Sequence, residues 1–307
     1  MKPLTRTLVG GAALGVGALA YSLGYERTAF TVRRVDIPVL PPGARPVKVL
    51  HLSDVHLTPG QRAKQRWIRE LIDLDPDLVV NTGDNLAHLD SVAPVLSAYR
   101  DLLDVPGVFV FGSNDYFSPI AKNPLRYLWR HSGGRTRRVA DLPWRELRDA
   151  FTTRGWLDLD NASARLKVGD LELAFAGVDD PHLEYDDLGS IESPAPADAD
   201  LAIGVAHAPY LRVLDAMNTA GYPVIFAGHT HGGQVRLPYA GALVTNCDLD
   251  RARARGLNLH ATDGNAASWL HVSAGLGTSP FAPIRFCCRP EATLATLTPI
   301  DSLRWRR

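Results

Sequence analysis

Residues 224–234 read VIFAGHTHGGQ, an apolar run followed by two histidines around one threonine, with glycine on both sides. A run this short and this apolar suits a strand buried on both faces. The chain ends it on imidazoles and bare backbone. The same pattern recurs outward from this stretch. Val47–Leu52 leads into Ser53-Asp54-Val55-His56, and Leu78–Val80 into Asn81-Thr82-Gly83-Asp84-Asn85. Val108–Phe111 leads into Gly112-Ser113-Asn114-Asp115, and Leu171–Ala176 into Gly177-Val178-Asp179-Asp180-Pro181-His182. Leu201–Val205 leads into His207-Ala208-Pro209, and a further run covers Trp269–Val272. Helical patterns lie between them, near Arg62–Leu74, Ser91–Leu103 and Tyr210–Ala220. Alternation of this kind predicts an α/β domain whose sheets are covered by helices. In such sheets ligands gather outside the carboxyl ends of strands, where this chain concentrates Asp, Asn and His.

That mixture of hard oxygen and imidazole suits manganese, iron or zinc better than calcium, which prefers oxygen alone. Asp54 and His56 stand at i and i+2, as do His229 and His231, so a regular strand would aim each pair to one side. Two metals held close together need a ligand that bridges them. Asp84 is the best candidate, and such a pair activates water and clamps an in-line phosphoryl displacement. Each motif alone is weak. A lone Asp-x-His is more often a surface loop, a lone Gly-Asp a turn, and a lone His-x-Pro a satisfied loop residue. Their occurrence together, each at the end of an apolar run, is the informative observation.

Taken in order, D-x-H, G-D-N, G-S-N-D, H-x-P and G-H-x-H resemble the calcineurin-like metallophosphoesterase superfamily. SDVHL, GVDDPH, GHTHGGQ and GLGTSPFAPIRFCCRPE resemble its membrane-associated YkuE/YaeI-type branch. The likeness covers roughly residues 45–300. It implies a four-layer α-β-β-α sandwich with a two-metal site at one edge. It also implies that one divalent ion (Mn, Fe or Zn) takes Asp54, His56, Asp84 and His231. The second takes Asp84 as the bridge, with Asn114, His207 and His229. The implied catalytic set is Asp84, Asn114, Asp115 and His229. One motif departs from the family pattern, which reads G-N-H-D or G-N-H-E where this chain has Gly112-Ser113-Asn114-Asp115. Without a gap, Ser113 stands at the asparagine position. With a slip of one residue, Asn114 keeps the ligand role and Asp115 takes the place of the histidine. Either way the histidine that assists the leaving group is missing, and a general acid is typically worth about 10²–10⁴-fold in rate.

The rest of the chain sets the context. It has 307 residues, with 33 Lys plus Arg against 33 Asp plus Glu, and a balanced charge argues against a nucleic-acid partner. The three cysteines, Cys247, Cys287 and Cys288, form no metal or redox motif and read as small buried hydrophobes. Residues 7–25 carry no charge and follow Lys2 and Arg6, which predicts a membrane anchor or signal segment over residues 1–29 ahead of a catalytic domain over residues 30–307. The flanking Lys2 and Arg6 favour a single cell-membrane anchor with that domain outside. Arg27, Arg33 and Arg34 oppose this orientation, and Ala18-Leu19-Ala20 also fits cleavage and secretion. A peripheral cytoplasmic protein is the remaining alternative. Residues 39–46, VLPPGARP, read as an approach to the domain. Residues 116–140 combine Arg126 and Arg130 with Tyr127, Leu128 and Trp129, and suggest a basic flap for a phosphorylated headgroup. His182 is expected to line the same pocket. The function expected is hydrolysis of a phosphodiester, pyrophosphate or phosphomonoester, extending to phospholipid or nucleotide-lipid substrates. The alternative is a tethered metal- or phosphate-binding protein that has lost turnover.

Overall fold

Leu78, Val79 and Val80 show how the apolar runs become strands. Val79 packs under one layer of helices, while Leu78 and Val80 point the other way, into a core between two sheets. A strand with both faces buried has no polar side, so its sequence is continuously apolar. The computed structural model describes residues 15–121, 139–191 and 193–301.

The first sheet has six strands in the order β1-β14-β2-β3-β4-β5. They are β1 (Thr31–Leu40), β2 (Val47–Leu52), β3 (Leu78–Asn81), β4 (Gly107–Phe109), β5 (Leu157–Asp158) and β14 (Glu291–Pro299). The second has six in the order β12-β13-β9-β8-β7-β6. They are β6 (Ala162–Val168), β7 (Leu171–Val178), β8 (Leu201–Ala206), β9 (Val224–Ala227), β12 (Gly256–His260) and β13 (Ser268–Val272). A short ribbon pairs β10 (Arg236–Leu237) with β11 (Gly241–Ala242). Pairings β2–β3, β3–β4, β4–β5, β7–β8, β8–β9 and β9–β13 are parallel.

The outer face of the first sheet is covered by α2 (Arg62–Arg69), α3 (Val92–Tyr99) and α5 (Trp144–Thr153). Ile68, Val95, Tyr99, Leu147 and Phe151 meet Leu50, Leu52, Val79 and Phe109 there. The outer face of the second is covered by α6 (Leu211–Ala220), where Val213, Leu214 and Met217 meet Ala202, Ala206 and Ile225. Val49, Leu78, Val80 and Val108 of one sheet pack against Phe175, Ile203, Val205 and Phe226 of the other. The layers therefore run helix, sheet, sheet, helix.

Several elements differ from the sequence reading. Residues 39–40 are not an approach segment but the end of β1, which pairs with β14 from Thr31↔Glu291 onward. Pro38 lies inside β1, and its missing N–H is tolerated because β1 is the edge of its sheet. Cys247 and Cys288 are buried as expected, but Cys287 is exposed, at a turn with φ 51°. Residues 15–24 form a helix, α1, and among the described residues no helix is long and apolar enough to cross a membrane. Glu26, just beyond α1, is buried, and its carboxylate accepts the N–H groups of Cys287 (3.0 Å) and Cys288 (2.5 Å). This fastens the N-terminal segment to the loop before β14.

Candidate metal centre

Five of the seven ligand candidates leave their strands through left-handed turns. Asp54 and His56 follow β2 at φ 49° and 42°, Asp84 follows β3 at 56°, and His229 and His231 follow β9 at 67° and 49°. Strand spacing was expected to aim each pair to one side. The backbone has already left strand geometry at these residues, and the positive φ values do the aiming. Each such residue costs about 1–3 kcal/mol and persists only where neighbours over-determine it. Here the Asp54 N–H donates to the Gly83 carbonyl and the His56 N–H to the Asp84 carbonyl, both at 2.9 Å. The two ligand loops brace each other.

Asp54, His56, Asp84 and His231 converge, with one ligand atom from each lying within 4.8 Å of the others. His56 Nε2 is 3.2 Å from His231 Nε2 and 3.4 Å from Asp84 Oδ2, and Asp54 Oδ1 is 3.6 Å from His231 Nε2. A second group stands on the other side of Asp84. His207 Nε2 is 3.7 Å from Asp84 Oδ1 and 3.3 Å from His229 Nδ1. Asn114, in the short helix α4 (Ser113–Tyr116), donates its backbone N–H to Asp84 Oδ1 and its side-chain amide to Oδ2, both at 2.7 Å. The residue of GSND that meets Asp84 is thus Asn114.

The proton positions follow from the carbonyls. His207 Nδ1 faces Thr82 O (2.7 Å), His231 Nδ1 faces Gly277 O (3.2 Å) and His229 Nε2 faces Asn246 O (3.2 Å). A carbonyl only accepts, so His207 Nδ1 and His229 Nε2 carry hydrogen. His231 Nδ1 also meets the donor Arg285 Nη2 at 3.4 Å. The unprotonated ring nitrogens of the neutral histidines then face carboxylate oxygens and other imidazoles. Buried acceptors this close repel unless a cation or proton lies between them. His56 Nδ1 is also buried without a partner. The donor set of the first group fits a divalent cation, with neutral imidazoles and ionised carboxylates as ligands.

The charges agree with this. Burial pushes the His56 imidazole down to about 4 and those of His229 and His231 well below their usual range. Burial lowers His207 too, but Asp84, Asp180 and Asp54 outweigh it and raise that imidazole to about 9. Burial raises the Asp84 carboxyl, but His207, His56 and Asn114 prevail and hold it below the carboxylate range. Asp54 is raised to about 6, chiefly by burial.

Two glycines make the approach feasible. A Cβ on Gly228 would lie 1.9 Å from Ser53 Oγ, and one on Gly112 would lie 2.4 Å from Asp84 Oδ1.

Asp115 is corrected from the role expected of it. It is buried, with Oδ2 accepting from Asp84 N (2.7 Å) and Gly112 N (3.1 Å), and Oδ1 from Asn85 N (2.8 Å) and Leu86 N (3.3 Å). Both oxygens hold the turn that carries Asp84, so neither is placed to serve a leaving group. His182 is half-buried beside the second group. Its Nδ1 is 3.0 Å from Tyr210 Oη and its ring centroid 4.5 Å from that of His229. Arg126 and Arg130 lie outside the described residues.

Sequence reasoning gave no role to Arg285 or Asp180. Arg285 is fully buried. Its Nη2 donates to the carbonyls of Ala274 (2.7 Å), Gly275 (3.0 Å) and Gly277 (2.7 Å) and lies 3.4 Å from His231 Nδ1. An arginine inside the apolar stretch Phe281–Phe286 was the available signal. Asp180 is buried, accepts the His182 N–H at 2.8 Å, and leaves Oδ2 without a partner. Burial raises its carboxyl to about 7.

The chain matches the calcineurin-like phosphoesterase family over residues 47–233. It is 26% identical over 306 residues to the uncharacterized metallophosphoesterase YkuE of Bacillus subtilis (strain 168), covering 93% of each chain. It is 25% identical over 264 residues to the phosphodiesterase YaeI of Escherichia coli (strain K12), covering 83% of each. Among solved structures, TT1561 of Thermus thermophilus aligns with a TM-score of 0.41 at 12% identity, over 76% of this chain and 91% of that one. With residues 47–233 matched and these motifs at its strand ends, the chain belongs to the calcineurin-like phosphoesterase family and is a hydrolase.

Proposed function

We propose that this chain is a dinuclear-metal-dependent phosphodiesterase. The observation that carries the reading is at Asp84. Its Oδ2 faces His56 at 3.4 Å while its Oδ1 faces His207 at 3.7 Å, so each oxygen addresses a different histidine group. A carboxylate placed this way could serve two ions. Asp54, His56 and His231 would hold one ion with it, and Asn114, His207 and His229 would hold the other. When bound, such ions supply an activated water and neutralise charge on the phosphoryl oxygens.

The chain's own residues do the positioning. Asp115 grips the Asp84 turn through four backbone amides. Asn114 orients both oxygens of Asp84. His182, held by Tyr210 and leaning on His229, is the side chain placed to meet the substrate at the second group. Arg126 and Arg130 of the basic stretch are assigned to the substrate's phosphate or headgroup. A diester with a good leaving group needs the least help from an acid, which suits a site without the family's histidine.

The N-terminal segment is read as membrane-associated, with a lipid-linked phosphate ester as the substrate class and the catalytic domain outside the cell. Support comes from the uncharged stretch 7–25 and from α1, which leaves Val16, Leu19 and Tyr21 exposed by 69%, 50% and 44%. A helix apolar on its outer surface requires a cover other than water. A second reading, a tethered metal-binding protein without turnover, is favoured by one observation: GSND has no histidine, and its Asp115 is fully engaged by backbone.

The test is to strip the metals, restore Mn(II), Zn(II) or Fe(II), and compare bis-p-nitrophenyl phosphate with p-nitrophenyl phosphate. Metal-dependent turnover of the diester, lost in Asp84→Ala, supports the diesterase. Two bound ions with no turnover of either ester favours the second reading.

A further inference from the structure

A line of polar side chains runs away from the metal centre into the largely apolar core between the sheets. His271 of β13 and His51 of β2 meet there, Nδ1 to Nδ1, at 3.0 Å. His51 Nε2 is 2.9 Å from Thr82 Oγ1, which donates to Ser53 Oγ at 2.7 Å, and Ser53 Oγ donates to Asp54 Oδ2 at 2.5 Å. His51, Ser53, Thr82 and His271 are all fully buried. Phe226 packs against both rings, at centroid distances of 5.3 Å from His51 and 5.9 Å from His271.

The direction of this line is fixed from its end. Asp54, as an ionised ligand, can only accept, so the Ser53 hydroxyl donates to it. Ser53 must then accept from Thr82, and Thr82 from His51. That puts the hydrogen of His51 on Nε2 and leaves Nδ1 as an acceptor. His271 therefore carries its hydrogen on Nδ1 and donates to His51. Burial holds both imidazoles neutral, pushing His51 well below its usual range and His271 to about 4. The group facing His271 from β14 is Glu291, which is paired to Arg33 at 2.7 Å.

We infer that His271, His51, Thr82 and Ser53 form a one-way hydrogen-bond relay that positions Asp54 as a metal ligand and locks the two sheets together beneath the metal centre. The relay, with the His229 N–H at 2.9 Å, engages Asp54 Oδ2. Oδ1 lies 3.2 Å from the same His229 N–H and faces His231 at 3.6 Å. The cross-link matters because the centre is divided between the sheets. Asp54, His56 and Asp84 follow strands of the first, and His207, His229 and His231 follow strands of the second. A slip of one sheet against the other would separate the two halves. The His51–His271 bond is a directional contact across that boundary, whereas packing of Val and Phe is not. Gly228 belongs to the same device, since any Cβ there would strike Ser53 Oγ.

The inference rests on the metal-centre reading, and two measurements keep them apart. The first is long-range ¹H–¹⁵N NMR of the metal-free full chain, with His51 and His271 assigned from His51→Gln and His271→Gln. Hydrogen on His51 Nε2 and His271 Nδ1 is expected. Hydrogen on His51 Nδ1 reverses the line and overturns the relay. The second is Mn(II) titration of the metal-stripped full chain, followed by the EPR signal of free Mn(II). Ser53→Ala and Thr82→Val should weaken binding by about 10–100-fold, the range for partners of metal ligands. Thr82→Ser, which keeps the hydroxyl, should bind like wild type. Wild-type affinity in both Ser53→Ala and Thr82→Val overturns the relay alone. Failure of the wild type to take up Mn(II) or Zn(II) overturns the metal-centre reading and this inference with it. Cooperative melting of the metal-free variants well above the titration temperature separates positioning from a loss of folding.

Discussion

At the scale of single residues, the centre trades protons for cations. His207 is raised to about 9 by the carboxylates around it, so in the metal-free chain it is protonated at neutral pH. A metal must displace that proton to reach Nε2. The sign follows: metal affinity falls as pH drops below about 9. Asp54, raised to about 6, adds a second competing proton below that pH. The expected slope is about one decade in apparent affinity per pH unit between pH 8.5 and 6.5, steepening below 6. Mn(II) titrations across that range check it, and a flat profile would remove His207 from the ligand set. The residue types were legible in the sequence, because Asp, His and Asn recur together at the ends of the apolar runs. The work of Asp115 was not. Its four backbone contacts come from the Asp84 turn and Gly112, and no local pattern reveals that both oxygens are taken.

At the scale of elements, the parallel strands were legible because burial on both faces leaves an unbroken apolar run. β1 was not, since its burial alternates irregularly and Pro38 interrupts it. Only its place at the edge, beside β14, makes it a strand. The link between Glu26 and the Cys287-Cys288 backbone was equally hidden, because its partners are more than 250 residues apart in sequence. Its two oxygens serve two amides, and a glutamine offers only one acceptor while turning its NH₂ toward the other amide. Glu26→Gln should therefore lower the unfolding free energy by about 1–3 kcal/mol, the cost of a buried group left unsatisfied. Denaturant unfolding reads this directly. Removal of the segment through Arg27 should do at least as much, because it exposes both amides.

At the scale of the whole molecule, the centre is where the sheets meet, so a bound metal would brace them against each other. Ligand binding to the folded state alone adds about 2.7 kcal/mol at a hundredfold excess over the dissociation constant. For a chain of 307 residues that corresponds to a rise of about 4 °C in melting temperature. Thermal unfolding with and without chelator checks it, and Asp84→Ala should show almost no difference between the two conditions. What the sequence by itself determined was the chemistry and the layer plan. Hydrophobic period is a local property that marks strands and helices, and ligand types at strand ends mark a metal centre. What only the tertiary structure decided was the arrangement: which sheet contributes which histidine, which turns go left-handed, and how the His271-to-Asp54 line crosses the core. Those depend on atoms brought together from distant parts of the chain, and hydrogen-bond direction exists only once donor and acceptor are within reach.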